Sequence, residues 1–284
     1  MALAHTHVLM SGAAALGTWM VQVLAGLPLS IEPCLSVFLV FFSIYTLDRV
    51  AAEPETDAIN HPDRERFARR NARVLLGLAV AAYVGAIALA ARGGVARVLV
   101  MLLPLAAVLV YSFPFVPRPW VRRLGFRRIK EILLAKNLVV AGTFAITLTL
   151  AAVPAEGVAD PGKLALVCGF LFLRYFINAV VFDIRDEHGD RLKGIPTLPV
   201  VLGPDRTRRL LHVLNGVLGL YLGIIPALGL APLAFAALGI GTPLASWYLN
   251  QTGQRESLHF LCDVVVDGEL YVAGLALLLT LGMA

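Results

Sequence analysis

Charge is what this sequence has least of. Lys, Arg, Asp and Glu make up 15% of its 284 residues, against 58% hydrophobic ones. With a mean hydropathy of +0.79, the chain is too apolar for a soluble domain of this length. Cysteine is scarce as well. Cys34, Cys168 and Cys262 are odd in number, far apart, and set in or beside apolar runs. Such a set argues against a disulfide framework and against zinc, and leaves them as small packing residues. The opening stretch, residues 1–7, has no Lys or Arg, so a cleaved secretory signal is not expected and the first helix should be retained.

What the sequence has instead is long apolar runs. A helix needs about 20 residues to cross a bilayer, and nine segments are expected to do so: residues 8–27, 31–47, 72–91, 95–111, 132–153, 164–182, 210–228, 231–249 and 261–281. Pro28, Pro33, Gly93-Gly94, Pro154, Pro161 and Pro226 punctuate them, as chain breakers should. Pro104 falls inside the fourth, where membrane helices tolerate a kink. The links alternate in charge. Those after helices two, four and six are basic, with Arg64, Arg66, Arg69, Arg70 and Arg73 in the first, Arg118, Arg122, Arg123, Arg127, Arg128 and Lys130 in the second, and Arg206, Arg208 and Arg209 extending the third. The intervening links carry only Arg92, Arg97 and Lys163. The positive-inside rule therefore puts the basic links and the N-terminus in the cytoplasm and the C-terminus outside. The formal charge of +5 reflects this topology and gives no sign of a nucleic-acid partner.

Two acidic stretches stand out against the apolar background. Asp183, Asp186 and Asp190 follow the sixth run at spacings of three and four, which puts them on one face if the helix continues. Three close carboxylates repel unless a cation joins them, and Mg²⁺ prefers such oxygen ligands, keeping waters and sharing substrate phosphates. Arg185, Arg191 and Lys193 lie among them, able to take remaining phosphate charge. The plainer alternative is a solvated loop of mixed charge. The other stretch closes the second run: Asp48-Arg49, then Glu53, Glu55, Asp57 and Asn60-His61-Pro62. Four helices separate the two. The expected architecture is an all-α polytopic bundle, one domain over residues 1–284, built as two pseudo-repeats of four helices plus one. Tyr111 and Tyr248 each close the fourth helix of a repeat, and the two acid loops meet over one cavity.

Some charges fall within the apolar runs. Arg174 lies deep in the sixth, where a charge costs a few kcal/mol or more and usually faces the protein interior. Asn178 is one turn on and shares its face. The pair either binds a substrate in the cavity, or Arg174 simply meets a carboxylate or helix carbonyls. Asp263 and Asp267, near the start of the ninth run, either complement the helix dipole or reach Arg174.

In these residues the chain resembles the UbiA-type intramembrane prenyltransferases over nearly its full length. Asp183-x-x-Asp186-x-x-x-Asp190, followed by Gly194, Thr197-Leu198-Pro199-Val200 and Gly203, is similar to that family's second aspartate motif. Tyr111-Ser112 and Lys130 are similar to its tyrosine-serine pair and phosphate-binding lysine, here separated by a Pro-rich insertion, residues 113–120. The first motif departs from the pattern: aligned on Asp48-Arg49, its Asn position is Ile44 and its last Asp is Ala52. Asp57 or Glu53 is expected to replace the lost carboxylate, with Asp57 preferred because it precedes Asn60-His61-Pro62.

The resemblance implies Mg²⁺-dependent transfer of a prenyl group from an allylic polyprenyl diphosphate to a small acceptor, most often an aromatic ring, with release of diphosphate. It implies metal ligands at Asp48, Asp57, Asp183, Asp186 and Asp190, and catalytic roles for Asp48, Asp183, Asp186, Lys130 and Tyr111. Substrate contacts are expected at Arg49, Asn60, Arg174, Asn178, Arg191 and Lys193. Aromatic faces such as Tyr45, Tyr111 or Phe182 could stabilise the allylic cation. The expected setting is the cytoplasmic side of a bacterial or archaeal cell membrane. Another lipid-phosphate transferase is a distant alternative, since the D-G-x-x-A-R pattern of the CDP-alcohol enzymes is missing. A secondary transporter would place more ionisable groups near mid-membrane than Arg174 alone.

Overall fold

The computed structural model describes residues 7–51, 62–112, 128, 131–253 and 258–282, apart from the side chains of 51, 62–65, 111 and 112. Every regular element among them is helical: α1 (Val8–Leu24), α2 (Ile31–Ala51), α3 (Pro62–Arg70), α4 (Ala72–Arg92), α5 (Val95–Ser112), α6 (Ala135–Ala152), α7 (Pro161–Leu192), α8 (Leu198–Leu202), α9 (Pro204–Ala227), a 3₁₀ segment (Leu233–Ile240) and α10 (Gly241–Gln251). The last helix, α11 (Leu258–Gly282), contains a π-helical turn at Leu261–Val266. Helices α2, α4, α6, α7, α9 and α11 are long and apolar enough to cross a membrane, and α1 and α5 are shorter apolar helices.

The eighth expected segment, residues 231–249, departs from a single span: it is a 3₁₀ segment followed by an 11-residue helix. Gly239, Gly241 and Pro243 crowd its centre. Glycine weakens a helix through its backbone entropy and proline removes an amide donor, so the run lacks a continuous α-helical ladder.

The sixth segment does the opposite. It was expected to end at Phe182, yet α7 runs for 32 residues to Leu192. Asp160 caps its start, accepting from the Lys163 amide at 3.1 Å with Pro161 in the first turn, an arrangement that satisfies an orphan donor and presets the backbone. Its other end closes with the amides of Gly194 and Ile195 on the carbonyls of Arg191 and Asp190. Gly194 is left-handed there, with φ +67°, as this type of helix stop requires. The acidic motif is thus rigid helix rather than loop.

Helix α7 lies at the centre, packed against α1, α6, α8, α9 and the π turn. Over half of its apolar window is buried, against 22% for α4 and α9. The outer faces of those two expose Val74, Leu78 and Val84, and Val213, Leu220 and Ile224. Contiguous apolar surface of this kind calls for a lipid solvent rather than water. Helices α6 and α7 are antiparallel, for Lys136 meets Asp183 at 2.7 Å and Phe144 stacks on Tyr175 at 4.2 Å, eight residues along on both.

Candidate active site

Helices α1, α2, α5, α6, α7 and α11 enclose a cavity of about 1030 Å³. Its body is apolar, with Met10, Ala13, Ile44, Val108, Val140 and Leu270 on the walls. An aromatic stack crosses it: Phe41 on Phe144 at 4.2 Å, and Phe144 in turn on Tyr175. That stack levels the helices. Asp48 is seven residues beyond Phe41 on α2 and Asp183 eight beyond Tyr175 on α7, so both lie about 10–12 Å toward the same end. There Asp48, Asp183, Asp186 and Asp190 line the cavity together with Arg49, Lys136 and Lys193.

Each carboxylate of α7 has its own surroundings. Asp183 is fully buried; Lys136 Nζ donates to its Oδ1 and Asn137 Nδ2 to its Oδ2, each at 2.7 Å. Burying a carboxylate without such partners is costly. Asp186 is gripped by Arg185, whose Nε and Nη2 donate to its two oxygens at 2.8 and 3.0 Å. Nη1 of the same guanidinium reaches Asp263 Oδ1 at 3.0 Å, and its centre lies 4.9 Å from the Phe182 ring. Asp190 is buried with Oδ2 lacking a hydrogen-bond partner. Among the described residues, no three His, Cys, Asp or Glu side chains converge tightly enough to enclose a metal by themselves. An oxygen-only donor set with one orphaned carboxylate oxygen suits a hard cation that completes its shell with waters and phosphate oxygens.

Of the residues singled out by the sequence, Asp48, Arg49, Asn178, Asp183, Asp186, Asp190 and Lys193 line this cavity. Arg191 is exposed and pairs with Glu187 instead. Asp57, Glu53, Asn60 and Lys130, and the side chain of Tyr111, lie outside the described residues. Tyr248, expected to close a helix, is buried within α10.

Arg174 belongs to a buried polar network behind the cavity wall. Its Nη1 lies 2.9 Å from Glu269 Oε1 and 3.3 Å from Asn215 Oδ1. Tyr248 Oη is 3.0 Å from Asn178 Oδ1, to which it donates, and 3.2 Å from Glu269 Oε2. The partner of Arg174 is therefore Glu269, not Asp263 or Asp267. Depth is the reason: Asp263 sits level with Arg185, eleven residues or about 16 Å along α7 from Arg174, and the deeper carboxylate of α11 reaches it.

Lys136, Asn137 and Glu269 were not found from the sequence. Lys136 and Glu269 did carry a signal, since an ionisable residue inside an apolar run calls for a named partner. What was missing was the partner, 47 residues away for Lys136 and 95 for Glu269.

Comparison with known proteins fits this geometry. Residues 8–259 match the UbiA prenyltransferase family. The digeranylgeranylglyceryl phosphate synthase of Halobacterium salinarum is 34% identical over 153 residues, 54% of this chain and 49% of that protein. The protein of the same name from Thermococcus kodakarensis is 25% identical over 228 residues, 79% of this chain and 76% of its own length. The chain thus spans about half the length of the Halobacterium relative. The fold is similar to the apo structure of a UbiA homologue from Aeropyrum pernix K1, with a TM-score of 0.69 at 17% identity, covering 97% of this chain and 98% of that one. The match to more than half of the chain and the apolar helices leave one conclusion: this is a multi-pass membrane protein of the UbiA prenyltransferase family.

Proposed function

We propose that the protein transfers a prenyl group from an allylic polyprenyl diphosphate to a lipid-type acceptor within the membrane. The observation that carries this reading is the cavity: apolar and aromatic in its body, with Asp48 of α2 and three aspartates of α7 at one end. A polyprenyl diphosphate has the same polarity, a long apolar tail and an anionic head. In the reaction the bond from the allylic carbon to the diphosphate oxygen breaks. A bond from that carbon to the acceptor forms, and the acceptor gives up a proton.

Asp48, Asp183, Asp186 and Asp190, with Asp57, are the residues we assign to Mg²⁺. The cation, when bound, would neutralise the departing diphosphate. Lys136, Lys193 and Arg49 face the head group, with Lys130, Tyr111 and Asn60 assigned beside them on the family resemblance. The stack of Phe41, Phe144 and Tyr175 offers aromatic faces to the carbon as it becomes cationic. Residues 1–284 act as one membrane domain of nine crossings, the eighth broken, with the N-terminus and the site at the cytoplasmic face of an archaeal or bacterial cell membrane.

The names of the relatives favour a glycerol phosphate lipid over the aromatic ring that the family resemblance alone suggested. The test uses purified protein in nanodiscs with geranylgeranyl diphosphate, Mg²⁺, and either a prenylated glycerol phosphate or hydroxybenzoate. Diphosphate release and product mass are followed. Transfer to the glycerol lipid is expected, and to be lost on chelation. Turnover of the aromatic acceptor alone would move the reading to quinone-type chemistry, and no transfer to either would overturn it.

A further inference from the structure

The polar groups lining the cavity fall at two depths, and the deeper ones have no part in holding a diphosphate. Asn178 precedes Asp183 by five residues on α7, about 7.5 Å nearer the apolar body. Tyr175 is three residues deeper on the same helix and also lines the cavity. Its hydroxyl is buried and finds no hydrogen-bond partner. With a diphosphate held at the aspartates, the allylic carbon bonded to it hangs toward this second level. The atom that attacks that carbon must be held here.

Asn178 is the better anchored of the two. Its Oδ1 accepts from Tyr248 Oη at 3.0 Å, Tyr248 stands against Glu269 at 3.2 Å, and the Asn178 amide itself also bonds the Glu269 carboxylate, which leaves its second N–H for the cavity. Glu269 is fixed in turn by Arg174 at 2.9 Å. Asn215 links Arg174 to the broken eighth segment, donating through Nδ2 to the Thr242 carbonyl at 2.9 Å and to Ser246 Oγ at 3.0 Å. Arg174, Tyr248, Glu269 and Asn215 are each at most 1% exposed and Asn178 is 7% exposed. Hydrogen bonds joined by one ion pair, Arg174 to Glu269, this deeply buried hold their members in fixed orientation. Gly241 makes this possible, since a Cβ there would come within 2.8 Å of Glu269 Oε1. The charges of Arg174 and Glu269 offset each other, so what the cavity meets is a neutral amide.

Resting on the prenyl-transfer reading, we infer that Asn178 binds an uncharged oxygen of the acceptor, a hydroxyl or ether, beside the allylic carbon. Tyr248, Glu269 and Arg174 are positioning residues that act through it. Glu269 and Arg174 thereby gain a role beyond mutual neutralisation, and α11, most of which lies past the family-matched residues 8–259, becomes part of the acceptor site.

Steady-state kinetics with the donor and acceptor varied in turn test this. Tyr248→Phe keeps the ring and removes only the hydroxyl; Asn178→Ser keeps a polar group but shortens it. Both are expected to raise KM for the acceptor about tenfold, in keeping with the loss of a buried hydrogen bond, while KM for the diphosphate stays within about twofold. Binding of a non-hydrolysable thiodiphosphate donor should be unchanged. A purely structural network predicts a lower melting temperature with both KM values moving together, and that outcome would overturn the inference, as would no change in either. Should Tyr248→Phe fail to fold, Asn178→Ser decides by the same split. Wild-type protein inactive with every acceptor would instead sink the prenyl-transfer reading itself.

Discussion

Asp183 and Asp186 differ by three residues and should answer to mutation differently. Asp183 is fully buried between Lys136 and Asn137, so its removal strands a cation and an amide. Breaking a fully buried pair costs about 3–5 kcal/mol, and the partial exposure of Lys136 reduces this to roughly 2. Asp183→Ala should therefore lower both the melting temperature and the transfer rate. Asp186 is nearer the opening, with Arg185 keeping Asp263 as a second partner. Asp186→Ala should fold nearly as well as wild type and lose at least about 100-fold in rate, roughly 2.7 kcal/mol of transition-state stabilisation. Thermal denaturation and diphosphate release, measured on both, check the contrast. Pairing Asp183→Asn with Lys136→Met should recover part of the stability without recovering activity, because the two charges are then removed together while the amide oxygen left at position 183 can still accept from Asn137; recovery of both would take Asp183 out of the chemistry. The aspartates were legible in the sequence because their three-and-four spacing is local. Lys136 and Glu269 were not, because a lone charge in an apolar run reveals a need for a partner but not which helix supplies it.

Among the elements, α7 carries most of the site, and its end decides where Asp190 stands. The helix stops at Gly194, whose φ of +67° is left-handed and whose missing Cβ would have met nothing within 4 Å. Replacement there is penalised by backbone conformation alone, about 1–2 kcal/mol for a residue with a Cβ. Gly194→Val should lower the melting temperature and speed amide exchange at Lys193, Gly194 and Ile195, whose amides close the last turn. Unchanged exchange would mean that Asp190 is held by its burial and not by the helix stop. Hydrophobic run length marked the positions of the helices but not their continuity. It ended the sixth at Phe182, where charge begins, although a helix backbone is indifferent to that change of side chain. It also read the eighth as one span, although Gly239, Gly241 and Pro243 were there to break it. The π turn in α11 left no trace in periodicity, since it is a local register shift of a few residues inside a predominantly apolar run.

For the whole molecule the question is on which side of the membrane the cavity opens. Two acid-bearing helices, α2 and α7, deliver their carboxylates to the same end, levelled by the stacking of Phe41, Phe144 and Tyr175. The link after α6, residues 153–160, must lie at the other end, because α6 and α7 are antiparallel. The basic links follow α2, α5 and α7, and from the rule that places Lys and Arg in the cytoplasm we expect the cavity mouth there. Cys34 and Cys262 are buried and Cys168 is half-buried, so alanine at all three gives a background for single-cysteine labelling. Cysteine in place of Arg64, Arg122 or Arg206 should react with a membrane-impermeant maleimide only from the cytoplasmic side. At Glu156, exposed in the link after α6, it should react only from outside. The four positions together form the test, since the protein can shield a single one from the reagent. If the three arginine sites divide between the two faces, the helices cannot thread the bilayer as the bundle requires. If all four reverse, the bundle stands, but the diphosphate head would have to be delivered from outside the cell.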